Sequence, residues 1–168
     1  IEANYKKPYK FNTNLYATFI KRCFELIDDN GKIAMIHPHT FMFIKTFEDV
    51  RKFMIDKTHI DIMVDFGLDR VNLFGPGILL DATFYVLSKS KSEKNGLYFN
   101  LTTNLQEKYK KEKLFEAYDD YLENKPNQRY FTLEQSKLKI IKSYPFIYWI
   151  SDEFREKFKL KTVDDALY

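Results

Sequence analysis

Residues 59–88 constrain the fold most: two β-rich runs flank a stretch too long for a tight hairpin turn. In His59-Ile-Asp-Ile-Met-Val-Asp-Phe66, period-2 patterning sets Ile60, Ile62, Val64 and Phe66 on one side of a strand. The run from Ile78 to Ser88 does the same with Leu80, Ala82, Phe84 and Val86. Two such runs pair antiparallel without a crossover helix. Between them, residues 68–77 read Leu-Asp-Arg-Val-Asn-Leu-Phe-Gly-Pro-Gly. An apolar Phe74 beside Gly75-Pro76-Gly77 is not what a solvated loop requires, and loops are where binding residues concentrate.

Upstream, the pattern alternates helix and strand. Residues 13–29 predict a helix, capped by Thr13 or Asn14 and stopped by Asn30-Gly31. Leu15, Phe19, Cys23 and Leu26 share one side, with Tyr16, Ile20, Phe24 and Ile27 adjacent. A stripe that wide predicts broad packing on a sheet, with Cys23 as core filler rather than nucleophile. Ile33-Ala-Met-Ile36 is unbroken apolar sequence, the mark of a strand buried on both faces. A second helix follows over 46–57, with Glu48 and Asp49 in its first turn. This order predicts an α/β domain of three layers, with 59–66 and 78–88 as an antiparallel pair at one edge.

His37-Pro38-His39 stands where the first strand ends, and carboxyl ends of strands form the ligand crevice of open α/β sheets. No acidic ligand neighbours them in sequence, so a structural or supporting role is expected rather than a metal site. Further on, a strand over 97–103, a charged helix over 107–124 and a capping-box helix from Thr132 to about Ile141 are expected. The lysines of the 107–124 stretch (Lys108, Lys110, Lys111, Lys113) alternate with Glu107, Glu112 and Glu116, which reads as a solvated face. Residues 144–150 form an aromatic block, and Ser151 opens a last helix.

The single Cys23 excludes an intramolecular disulfide and a cysteine metal site, fitting a reducing, cytoplasmic compartment. No apolar run reaches the ~18 residues of a membrane span. A net charge of +3 permits a nucleic-acid partner without demanding one. At the N-terminus Lys6, Lys7 and Lys10 alternate with Tyr5, Tyr9 and Phe11, either an exposed arm or a nucleic-acid contact. Opening on Ile1, the 168 residues are expected to be a piece of a longer protein. No phosphate-binding Gly-rich loop, catalytic triad or paired-carboxylate motif names a reaction.

Three stretches taken in order carry a resemblance: Asn14-Leu-Tyr-Ala-Thr-Phe19, Asp29-Asn-Gly-Lys-Ile-Ala-Met-Ile-His-Pro38, and Asn72-Leu-Phe-Gly-Pro-Gly77 before a β-run. They resemble the adenine-specific (N6) DNA methyltransferases of the type IIG restriction–modification and BREX phage-defence kind. Tyr144-Pro-Phe-Ile-Tyr-Trp-Ile-Ser151 with Glu153-Phe-Arg155 resembles the stretch by which those proteins leave the catalytic domain towards a target-recognition region.

The resemblance implies a partial S-adenosylmethionine-dependent methyltransferase fold, Rossmann-like, with a mixed sheet and a helical C-terminal extension. Strands 32–37 and 59–66 would run parallel, with 78–88 inserted antiparallel between them. Residues 1–104 would be the C-terminal half of the catalytic domain, and 105–168 the extension. The full-length activity implied is methyl transfer from S-adenosylmethionine to adenine N6 in double-stranded DNA. The family's Asn-Pro-Pro-Tyr motif and cofactor-binding turn would precede Ile1. No catalytic, cofactor-binding or metal-binding residue is therefore assigned here, and the fragment alone is expected to be inactive. Phe74 is the implied target-base residue, stacking on the flipped adenine; otherwise it plugs the core. An exposed sheet edge leaves self-association open. The alternative reading is a non-catalytic α/β module for DNA recognition or protein interaction.

Overall fold

The computed structural model describes residues 2–69, 80–102 and 109–159. Its strands are β1 (Lys32–Pro38), β2 (His59–Asp69), β3 (Leu80–Ser88), β4 (Gly96–Asn100) and β5 (Tyr130–Leu133). They form one sheet in the order β1-β3-β2-β4-β5. β3 is antiparallel to both β1 and β2, with Ala34 opposite Val86 and Val64 opposite Phe84. β1 and β2 therefore run parallel with β3 inserted between them, as the resemblance implies.

The β2–β3 pair does not lie at an edge. β4 pairs parallel with β2, and β5 pairs antiparallel with β4. This extension satisfies the outer backbone groups of β2 and buries Leu97 and Phe99 beside Val64. β1 and β5 are the edge strands instead, and β1 is covered on one face only. Ile33 and His37 are buried, whereas Ala34 and Ile36 are exposed, against the expectation of burial on both faces.

The helices are α1 (Glu2–Tyr5), α2 (Leu15–Leu26), α3 (Glu48–Lys57), α4 (Lys110–Leu122) and α5 (Asp152–Glu156). Asn14 caps α2, its Oδ1 accepting from the Tyr16 N–H at 3.3 Å. The helix buries Ala17, Thr18 and Ile20. The wide stripe does not all pack: Leu15, Phe19 and Leu26 stay more than half exposed. Cys23 does lie against the main core, half-buried. That core joins α2 and α3 to the sheet through Phe11, Ile20, Val50, Phe53, Met54, Ile60 and Tyr85.

The helix expected from Thr132 to Ile141 is absent. Tyr130–Leu133 joins the sheet, and Gln135–Lys139 is a 3-10 turn. The physical reason is the use found for Gln135. Its side chain accepts from the Ile60 N–H at 2.7 Å and donates to the carbonyls of Thr58 at 2.7 Å and Ile55 at 2.9 Å. Those groups, left open where α3 hands over to β2, outcompete the cap. The final helix is short, with Ser151 Oγ accepting from the Phe154 N–H. Among the described residues the C-terminal region thus contributes a strand to the sheet as well as helices.

Arg51 locks this arrangement. Wholly buried, it donates to the carbonyls of Phe41 at 2.6 Å, Ile44 at 2.8 Å, Ser143 at 2.7 Å and Tyr144 at 3.0 Å. Burial lowers its pKa to about 10, but the four carbonyls answer a cation that would otherwise be costly there.

Candidate functional site

The register places the carboxyl ends of β1 and β2 beside the start of β3: Pro38 faces Ala82, Asp65 faces Thr83, and Leu68 faces Asp81. Open α/β sheets bind ligands outside such strand ends. β2 ends at Asp69 and β3 begins at Leu80, so residues 70–79 are joined to the sheet here. Phe74 itself lies outside the described residues.

His37 points to the α2 side. Its Nδ1 lies 2.8 Å from the Tyr85 hydroxyl, and its ring packs on Tyr16 at 4.8 Å. Tyr16 in turn stacks on Phe47 at 5.2 Å. Burial lowers the imidazole pKa to about 4 and raises both phenols, Tyr16 to about 12. A neutral His37 therefore accepts the Tyr85 proton donor, as the sequence expectation of a structural role requires.

His39 is different. It begins the 3-10 turn after β1, with Nδ1 3.0 Å from Asp65 Oδ1 and Nε2 3.5 Å from Asp81 Oδ2. The hydrogen bond to Asp65 raises its pKa, against an opposing effect of burial, and both carboxylates add Coulombic attraction. Asp65 is buried and uses the same oxygen to accept from the Gly67 N–H at 2.9 Å. That bond holds a bulge in β2 where Gly67 takes φ 63°, with a Cβ there only 3.0 Å from Thr102. Asp81 Oδ1 is buried and has no partner among the described residues. Beside the cluster, Phe43 meets His39 edge-on at 5.6 Å and Trp149 at 6.0 Å.

The acidic partners missing from the neighbourhood of His39 in sequence are thus supplied by β2 and β3. Their signal was present: Asp65 and Asp81 are the charges that interrupt otherwise apolar strand ends. The 107–124 lysines divide. Lys113 pairs with Glu116 on the surface, but Lys110 is buried and donates to the Phe66 carbonyl, bracing β2 near its end. Among the described residues no group of three or more His, Cys, Asp or Glu side chains could hold a metal ion. None of their helices is long and apolar enough to cross a membrane. The described glycines, Gly31, Gly67 and Gly96, are isolated from one another and form no cofactor-cradling loop.

Residues 1–74 match the family model of the Eco57I restriction-modification methylase. The chain is 28% identical over 141 residues to the adenine-specific methyltransferase PglX of Lacticaseibacillus casei (strain Zhang), covering 83% of this chain but 11% of that protein. The resemblance drawn from the sequence motifs is borne out by both. Two solved structures share the fold. The methyltransferase subunit of the type I restriction-modification system of Streptococcus thermophilus matches with TM-score 0.56 at 14% identity, over 80% of this chain and 29% of that one. The type IIG restriction endonuclease BpuSI matches with TM-score 0.53 at 16% identity, over 78% of this chain and 15% of that one.

Proposed function

We propose that this chain is a segment of an adenine-specific DNA methyltransferase serving restriction–modification or phage defence. The match of residues 1–74 to a restriction-modification methylase family carries that reading. In it, residues 1–104 belong to the catalytic domain, and 105–168 lead towards a target-recognition region. The full-length enzyme acts in the cytoplasm on double-stranded DNA. S-adenosylmethionine would supply the methyl group passed to adenine N6. The described residues do not fit a site for it, since they offer no Gly-rich turn, and no step is assigned to them through it.

This segment's contribution is to receive the base. An adenine turned out of the duplex costs a few kcal/mol, which an aromatic face offsets in part. Phe74 takes that role, on a stretch rooted at the Asp65–His39–Asp81 cluster. The cluster ties the carboxyl ends of β1 and β2 to the start of β3, so the roots of that stretch are held without help from a ligand. The outer edge of β1, with exposed Ala34 and Ile36, is the place for a further strand or a second copy.

Phe74→Ala in the full-length enzyme tests the reading. Stacking is worth about 1–3 kcal/mol per base, so methylation should fall roughly tenfold to a hundredfold with Tm nearly unchanged. Phe74→Trp keeps an aromatic face and should retain much of the activity. A large fall in Tm, with activity lost only in proportion to folded protein, would make Phe74 a core plug instead. No methyl transfer to duplex DNA from the intact wild-type protein would favour a non-catalytic module.

A further inference from the structure

Residues 5–13 alternate aromatic and basic side chains, and the fold separates the two chemistries. Phe11 is buried, Tyr9 meets Phe53 edge-on at 5.3 Å, and the Tyr5 ring lies 4.9 Å from Lys21 Nζ. The backbone is held as well. The Lys10 N–H donates to the Lys6 carbonyl at 3.0 Å, the Thr13 N–H to the Lys10 carbonyl at 3.2 Å, and Thr18 Oγ1 to the Phe11 carbonyl at 3.0 Å. The aromatic rings anchor the segment, while Lys6, Lys7 and Lys10 are exposed. An arm that the sequence leaves free to wander is in fact a fixed loop.

Its position matters. α2 enters at Asn14, and Tyr16, two residues on, packs against His37 near the end of β1. Lys45, exposed in the 3-10 turn that precedes α3, comes to the same place. A depression of about 540 Å³ is lined by Lys6, Lys7, Lys10 and Thr13. A second, of about 480 Å³, shares Lys10 and Thr13 with it and adds Lys45 and Thr46, with Glu48 and Asp49 in its wall. Asp49 takes Lys10 at 3.1 Å. Among the described residues, Lys6, Lys7 and Lys45 have no ion-pair partner. The three lysines thus stand at the carboxyl end of the sheet, the end where His39, Asp65 and Asp81 meet.

We propose that Lys6, Lys7 and Lys45 form a rim that contacts the phosphate backbone of duplex DNA beside the candidate site. The proposal rests on the methyltransferase reading, which brings duplex DNA to this end of the sheet. Lysines act on phosphates as point charges, so the rim positions the duplex without reading its sequence. Because packed rings and backbone hydrogen bonds already fix the segment, little ordering cost is left for binding. Lys10, engaged by Asp49, is not part of the rim.

The test is the salt dependence of duplex binding by the full-length protein, followed by fluorescence anisotropy with a labelled oligonucleotide. Each phosphate contact contributes about 0.9 to the slope of log K against log salt. The triple variant Lys6→Gln, Lys7→Gln, Lys45→Gln should flatten that slope by about 2.7, and each single variant by about 0.9. Tm should stay at the wild-type value, since none of the three side chains is buried. Lys91→Gln with Lys94→Gln, beyond the far end of β3, should leave the slope alone. A wild-type protein that binds duplex with an unchanged slope in the triple variant overturns the rim but spares the methyltransferase reading. Equal flattening by the Lys91 and Lys94 pair also overturns the rim, reducing it to net charge. A wild-type protein with no salt-dependent affinity for duplex overturns both.

Discussion

His37 and His39 stand on either side of Pro38, at the end of the same strand, in opposite surroundings. His37 is caged by Tyr16, Phe41 and Tyr85 and is neutral. His39 lies between Asp65 and Asp81 and gains affinity for a proton. What separates them is geometry. Alternation along β1 turns His37 towards the helices, and the chain leaves the strand at Pro38, carrying His39 over the strand ends. The first histidine serves packing. The second couples three strands electrostatically, and only it faces the crevice.

The largest break in that comparison is expected from Asp65→Ala. It strips His39 of its nearer carboxylate and leaves the Gly67 N–H without an acceptor in a buried site. A loss of about 3 kcal/mol is expected in urea unfolding near pH 6, where wild-type His39 carries its proton. Asp65→Asn, which keeps a carbonyl acceptor for Gly67, should lose less.

His37→Phe comes next. The ring packing is kept, but the buried Tyr85 hydroxyl is left only a weak contact to Met35 Sδ at 3.7 Å. About 1–2 kcal/mol should be lost at pH 7. The pH profile sharpens the contrast. The His37 pKa is depressed on folding, so its contribution is intact above about 6.5 and drains away as pH falls towards about 4. The variant should lack that acid limb, a difference that urea titrations from about pH 7 down to about pH 4 would show.

The smallest effect belongs to His39→Gln, because its side chain and Asp81 retain some contact with solvent. The His39 pKa is raised on folding, so its contribution is full below about 6.5 and disappears as pH climbs through the folded value. Less than about 1 kcal/mol should be lost at pH 5.5, and less still at pH 9. The two histidine variants should thus tilt the stability profile in opposite senses. NMR titration of both imidazoles gives an independent reading, with His37 protonating near pH 4 and His39 above its ordinary value.

Local pattern carried the sequence reading far. Period-2 alternation located β2 and β3, Asn14 marked the start of α2, and the motif order implied β3 between β1 and β2. The misreadings come from partners distant in sequence. Thr132 and Gln135 carry a sound capping signal, but Gln135 finds better use on Ile60 and Thr58. Leu15, Phe19 and Leu26 lengthen an apolar stripe that this fold only partly covers. β4 and β5 move the sheet edge, which no window confined to β2 and β3 reveals. The site was half legible: His37 and His39 stand out by their place at a strand end, and Asp65 and Asp81 as charges in apolar runs, but only cross-strand register shows that the two carboxylates meet His39. Phe74 was assigned by the resemblance, and it lies outside the described residues.

Arg51 also sets a timetable for synthesis. Its acceptors at Phe41 and Ile44 emerge from the ribosome before it, but Ser143 follows it by 92 residues and Tyr144 by 93. Until then the guanidinium has part of its acceptor set and every reason to remain in water. The region behind β1 therefore cannot finish closing while the chain is still short, and contacts of such range slow folding. The strand ends that carry His39 take their final shape only once the aromatic block at residues 144–150 arrives. Ribosome-bound chains halted before that block should hold the sheet end open to proteases, and chains released beyond it should not.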